Sequence, residues 1–165
     1  MTTTTSARPR RNRIAAGLSA LILAASTLIA AAATPAHADA PHTYCGLEVL
    51  GAIEHRYVQM DGPTGQLGCP RTEELVNPDG VGRRRQFENG TIYWHPQTGA
   101  WPVWGDIGER WCQEGCERGW LGYPTSGEYR VGNEAHQNFR CGTIYWRAWP
   151  ERGTTMTRLS ENRCI

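Results

Sequence analysis

The feature that most constrains this chain is that it repeats itself. Gly51-Ala52-Ile53 aligns with Gly105-Asp106-Ile107, and Leu67-Gly68-Cys69-Pro70 with Leu121-Gly122-Tyr123-Pro124, both at an offset of 54 residues. Phe87-x-x-Gly90-Thr91-Ile92-Tyr93-Trp94 aligns with Phe139-x-x-Gly142-Thr143-Ile144-Tyr145-Trp146 at an offset of 52, so a two-residue deletion separates the blocks. Matches of this length and order mark an internal duplication, in which each copy is one small unit that buries its apolar face against its neighbours. Val49-Leu50-Gly51 parallels Val103-Trp104-Gly105, which makes the stretch before Gly51 the tail of a partial preceding unit. The expected organisation is a segment over 39–50, a first unit over 51–104, a second over 105–149 and a tail over 150–165.

The residues inside each unit predict its elements. Ile53, Tyr57 and Met60 in the first copy, and Ile107 and Trp111 in the second, recur at helical spacing and predict a short amphipathic helix. Asp106 with Glu109 three residues on resembles a capping box, and Gly115 ends the helix. In the block that follows, Gly65 and Gly68, matched by Gly119 and Gly122, permit positive φ, while Pro70 and Pro124 fix φ and remove a donor. A tight turn is therefore expected. Arg85 to Trp94 alternates as a strand, an Asn89-Gly90 turn and a returning strand, with Cys141-Gly142 at the same turn in the second copy. Alternation puts Ile92 and Trp94 on a packed face and Tyr93 on the other, with Ile144, Trp146 and Tyr145 likewise. The expected fold class is α+β: a small domain of about two units, each a short helix, a Leu-Gly-x-Pro turn and an antiparallel hairpin.

Residues 1–38 read as an export signal. Arg8, Arg10, Arg11 and Arg13 form a basic opening, an apolar and small-residue run extends from Ile14 to about Ala33, and Ala36-His37-Ala38 is a small-x-small cleavage site. Without it, 127 residues remain, with 13 basic against 16 acidic side chains and no membrane span, a balance that disfavours nucleic-acid binding. All six cysteines (Cys45, Cys69, Cys112, Cys116, Cys141 and Cys164) fall in this part, and export places them where disulfides persist. Six cysteines allow fifteen pairings. Cys112 and Cys116 are close enough to pair locally, and a Cys45–Cys164 bond would tie the two ends together.

Through Leu-Gly-x-Pro, Phe-x-x-Gly-Thr-Ile-Tyr-Trp and Thr98-Gly99-Ala100…Trp104-Gly105-x-Ile107, the chain resembles the LGFP-repeat family of actinobacterial exported proteins over roughly Gly51 to Trp149. The resemblance implies attachment: such repeats accompany enzymes of envelope assembly and are thought to hold them on wall polysaccharide, arabinogalactan being the usual suggestion. It also implies propeller-like packing in longer arrays. This chain has Cys69 and Tyr123 where the family name expects phenylalanine, and about two units, so an incomplete ring is expected. Two units bury little, and the cysteines are expected to cross-link what missing neighbours would otherwise hold.

Aromatic residues are abundant, and most are expected to build the core, because Trp and Tyr supply the largest buried areas. Tyr93 and Tyr145 on the free strand face, and Trp120 where the first copy has Gln66, are the expected ligand contacts, with Glu74 and Glu128 as equivalent polar partners. Glycoside hydrolysis needs two carboxylates across one cleft in unlike environments, and equivalent positions in successive units do not suit it. His55, His95 and His136 form no triad or metalloprotease pattern, no nucleotide loop is present, and neither a cofactor nor a metal is expected. Arg83-Arg84-Arg85 is read as a solvated basic start to its strand. The expectation is a secreted or wall-associated, non-enzymatic module that binds cell-wall polysaccharide; its rival is a disulfide-stabilised interaction or inhibitory factor with an envelope protein as partner.

Overall fold

A computed structural model describes residues 42–149, 154–161 and 164; the export-signal reading of residues 1–38 lies outside them. In chain order the elements are β1 (His42–Tyr44), β2 (Leu47–Val49), α1 (Gly51–Val58), β3 (Leu75–Val76), β4 (Arg83–Phe87), β5 (Gly90–His95), β6 (Gly99–Val103), α2 (Gly105–Gln113), β7 (Tyr129–Val131), β8 (Glu134–Phe139), β9 (Gly142–Trp149) and β10 (Thr154–Glu161). Strands β1 and β2 form a hairpin, β3-β4-β5-β6 one antiparallel sheet, and β7-β8-β9-β10 another. The fold is α+β with open sheets and no closed barrel among the described residues, as an incomplete ring requires.

The two copies share one backbone plan. Trp94 sits opposite Arg83 across β4 and β5, and Trp146 opposite Ala135 across β8 and β9. Strand β10 pairs along β9 as β6 pairs along β5, so the second unit continues through the stretch the sequence reading leaves as a tail. Hairpin β1–β2 stands before α1 as β5–β6 stands before α2, with buried Val49 and Val103 at matching places. The hairpin thus holds the place before its helix that β5–β6 holds before α2.

The Leu-Gly-x-Pro turn joins helix to hairpin. Leu67 and Leu121 are fully buried, each contributing about 1.5–3 kcal/mol by leaving water. Their carbonyls accept from Asn89 N and Cys141 N at 3.1 Å, and the next carbonyl but one accepts from Glu88 N and Arg140 N at 3.0 Å. Above the turn, Tyr57 Oη donates to Gly68 O at 2.7 Å and Trp111 Nε1 donates to Gly122 O at 3.0 Å, so two different aromatics make the same bond. Gly68 and Gly122 hold φ of +69° and +67°, as expected.

Three local expectations are corrected. The hairpin turns are Glu88-Asn89 and Arg140-Cys141, and Gly90 and Gly142 begin the returning strands. Neither glycine has positive φ; a Cβ at Gly90 would lie 2.9 Å from Leu67 Cδ2, and one at Gly142 2.5 Å from Leu121 Cδ2. Close approach of the buried leucine and of a carbonyl on the next strand, Val103 O at 3.0 Å and Ser160 O at 2.6 Å, selects glycine there, not turn geometry. The same holds for Gly65 and Gly119, whose Cβ would meet a backbone oxygen at 1.7 and 1.9 Å. The Asp106–Glu109 capping box does not form: Trp104 is the N-cap, in extended conformation, and no side chain caps the helix. Gly115, at φ +104°, does end the segment.

The core has two clusters. Val49, Ile53, Tyr57, Leu67, Phe87, Ile92 and Ala100 form the first. Val103, Ile107, Trp111, Leu121, Tyr123, Phe139 and Ile144 build the second, with Tyr93 among them. Strand β5 thus supplies Ile92 to its own unit and Tyr93 to the next, because alternate residues face opposite sides of a sheet.

All six cysteines are paired: Cys45–Cys69, Cys112–Cys116 and Cys141–Cys164. The local Cys112–Cys116 bond is the expected one. The expected Cys45–Cys164 tie is not made; each end is instead stapled to its own neighbouring turn. Cys45 joins the β1–β2 turn to the third position of the first Leu-Gly-x-Pro block. In the second block that position is Tyr123, which reaches back to Asn77 and Asp79 of the first unit, so a covalent bond in one copy stands where hydrogen bonds stand in the other.

Candidate functional site

Each helix begins at a glycine of positive φ, Gly51 at +65° and Gly105 at +52°, one residue after a strand that ends in buried valine. That sharp strand-to-helix corner leaves a hollow bounded by the first helical residues, the loop after the Leu-Gly-x-Pro turn and the returning hairpin strand. In the second unit it is a cavity of about 190 Å³ lined by Trp104, Gly105, Asp106, Ile107, Glu128 and Trp146. A neighbouring hollow of about 270 Å³, lined by Gln66, Trp104, Glu128, Tyr129, Arg130 and Ala135, shares Trp104 and Glu128 with it. The first unit has the matching cavity, about 290 Å³, lined by Leu50, Gly51, Ala52, Ile53, Glu74, Arg83 and Trp94. The same pocket therefore occurs twice, each time with one glutamate and one tryptophan at equivalent places. Leu50 stands for Trp104, Ala52 for Asp106 and Arg83 for Ala135.

The electrostatics of the two copies differ. In the first, Arg83 Nε lies 3.7 Å from Glu74 Oε1 and both side chains are half-buried. In the second, burial pushes the Glu128 carboxyl above its ordinary range and nearby Asp106 adds to this, while the Trp104 indole N–H and the Arg130 guanidinium oppose it. Trp146 Nε1 is buried without a hydrogen-bond partner among the described residues. A carboxylate that accepts, an indole N–H that has yet to donate, and tryptophan rings in the wall suit a ligand whose groups both donate and accept along an otherwise apolar body. A polyhydroxyl ring is such a ligand.

Glu74 and Glu128 thus belong to equivalent pockets, in unlike surroundings despite their equivalence. Tyr93 is not on a free surface: it is 9% exposed, its ring meets Trp111 edge-on at 4.7 Å, and burial pushes its hydroxyl up to about 12. The α2 helix of the next unit covers the face that alternation left open. Tyr145 has no following helix in the described residues and is half-buried, edge-on to His136 at 4.5 Å, with its hydroxyl 2.7 Å from Ser160 Oγ. The two tyrosines occupy equivalent faces of different sheets, and only the first is covered by a following helix among the described residues. Trp120 is 41% exposed and donates from Nε1 to Glu114 Oε2 at 2.9 Å, away from both pockets. The arginine run is not a solvated stretch: Arg85 is 1% exposed, and Arg84 donates to Asn77 Oδ1 at 2.6 Å.

Sequence reasoning passed over Trp104 and Trp146 as pocket residues. The available signal was positional, since Trp104 immediately precedes the repeated Gly-x-Ile that starts each helix.

The LGFP-repeat family model matches residues 67–119 and again 121–162. No curated protein matches the chain.

Proposed function

This chain belongs to the LGFP-repeat family, and on that premise we propose that it is a non-enzymatic, extracytoplasmic module that holds cell-wall polysaccharide, an arabinogalactan-like or peptidoglycan-linked glycan, in its repeated pockets. The observation that carries the reading is the recurrence of one glutamate–tryptophan pocket in both units. Repetition of a binding pocket gains avidity on a polymer that itself repeats, without a new contact. The three disulfides agree with an oxidising compartment. Binding rather than hydrolysis is favoured because the feature common to both pockets is a single carboxylate. Asp106 and Glu128 line one cavity in the second unit, but the first has Ala52 in place of the aspartate, whereas hydrolysis uses a pair.

The test is retention of the oxidised chain on insoluble wall polysaccharide, with cellulose and agarose as controls. Selective retention is expected, weakened about tenfold or more by Trp104→Ala combined with Glu128→Gln, the loss of roughly 1.4 kcal/mol. Equal partition onto wall and cellulose refutes the reading. A role in binding an envelope protein is the second reading. It is favoured by edge strand β7, whose three residues are all exposed, Tyr129 at 40% and Val131 at 51%, since an open strand edge can take a partner strand. Cross-linking in culture to one stoichiometric protein would move the account to it.

A further inference from the structure

Helix α2 carries Gly108 at the place where α1 carries Glu54. In the first unit Glu54 is 5% exposed, bonded to His42 Nδ1 and accepting from Tyr44 Oη at 3.1 Å, so it fills the junction between the β1–β2 hairpin and α1. At the equivalent junction between β5–β6 and α2 no side chain enters, and a cleft of about 290 Å³ remains, bounded by Thr91, Tyr93, Trp104, Gly108, Glu109 and Trp111. Glycine inside a helix costs about 1 kcal/mol relative to alanine. The backbone does not call for it, because Gly108 has no positive φ. Packing asks for little: a Cβ there would come within 3.2 Å of the Val103 Cγ1 methyl, a tight contact that a shift of a few tenths of an ångström relieves, and the first unit buries a whole glutamate at the equivalent position. What the missing side chain does produce is an opening floored by aromatic rings and edged by the Thr91 hydroxyl and the Glu109 carboxylate.

Trp104 lines this cleft and both hollows that contain Glu128. We infer that the Gly108 cleft is a second sugar subsite beside the Glu128 groove, so that the second unit grips consecutive residues of a linear polysaccharide across Trp104. The inference rests on the glycan reading above and adds to it a minimum ligand length and a division of labour. The Glu128 groove bonds hydroxyls, and the cleft takes the apolar face of the adjoining ring against Trp104, with buried Tyr93 only at its floor. The first unit, with Glu54 in the way, keeps a single subsite.

The experiment measures binding of purified wall arabinan fragments, one to six residues long, to the oxidised chain by calorimetry. Affinity is expected to rise about tenfold or more once the fragment is long enough to span both subsites, a gain of roughly 1.4 kcal/mol. Gly108→Glu, which borrows the first unit's own side chain, should abolish that rise while leaving the shortest fragment that binds unaffected; Glu109→Gln, an exposed change that does not test folding, should reduce it. A length dependence unchanged in both variants overturns the inference and leaves the glycan reading intact. Failure of the unmodified chain to hold any fragment, or the wall polymer itself, overturns both.

Discussion

Replacing Cys45 and Cys69 together by serine should destabilise the protein far more than replacing Cys112 and Cys116, and the structure sets the ratio. The first bond closes a separation of 24 residues and the second one of 4. If a cross-link acts by limiting the unfolded chain, these loops correspond to about 3.5 and about 1.9 kcal/mol. Each pair contains one residue at φ +51°, Cys45 and Cys116, so serine leaves similar backbone strain in both variants and the difference reports the loops. For a domain of this size the long-loop variant should lose about 10 °C or more of melting temperature and the short-loop variant about half as much, read from reversible thermal unfolding of the oxidised proteins. Cys141→Ser with Cys164→Ser, across 23 residues, should behave like the first. Equal losses, or a larger loss at Cys112–Cys116, would refute the reasoning. They would mean that the bonds work by shaping the helix end in the folded state.

Leu67→Ala and Leu121→Ala, each at a fully buried side chain, should cost about 2–5 kcal/mol in urea unfolding. Tyr123→Phe removes the hydroxyl that donates to Asp79 Oδ2 at 2.5 Å and accepts from Asn77 Nδ2 at 3.1 Å, and about 1–2 kcal/mol of stability should go with these links between units. Desolvation raises the Asp79 pKa, but its hydrogen bonds from Tyr123 and from the backbone of Gly82 and Val81 outweigh this and set it below the ordinary value. Stability from Asp79 is therefore present above the unfolded carboxylate range and lost as pH falls through the folded pKa; Tyr123→Phe should flatten that acid limb in melts at successive pH. Glu128 runs the other way. Its raised pKa means that stability declines as pH rises from the unfolded to the folded value, and Glu128→Gln should remove this decline.

The units, their order and most of their elements were legible because the same apolar residues recur in two copies, and a duplicated pattern reports one backbone. What was not legible depends on what lies beside a unit. Alternation correctly placed Tyr93 opposite Ile92, but the cover on Tyr93 comes from Trp111, across a junction that no spacing within one unit encodes. Glycine in Asn89-Gly90 suggested a left-handed turn, whereas the glycine is there for Leu67, 23 residues earlier. Asp106 had the spacing of a cap, but the strand-to-helix corner puts Trp104 in that role and turns the aspartate toward a pocket. The pairing of Cys45 with Cys69 depends on the β1–β2 turn lying beside the first Leu-Gly-x-Pro block, and only the folded arrangement reveals it. Of the candidate contacts, Glu74 and Glu128 lie in the repeated pockets, Tyr93 bounds the cleft at Gly108, and Tyr145 and Trp120 stand apart from all of these.

The most direct measurement follows the indole N–H signals of the seven tryptophans by nitrogen-resolved NMR while soluble wall arabinan is added to the oxidised protein. Trp146, whose buried Nε1 has no partner among the described residues, and Trp104, whose indole serves Glu128, should shift first and saturate together, with Trp120 unmoved. Shifts confined to Trp120, or spectra that the polymer leaves unchanged at saturating concentration, would contradict the account.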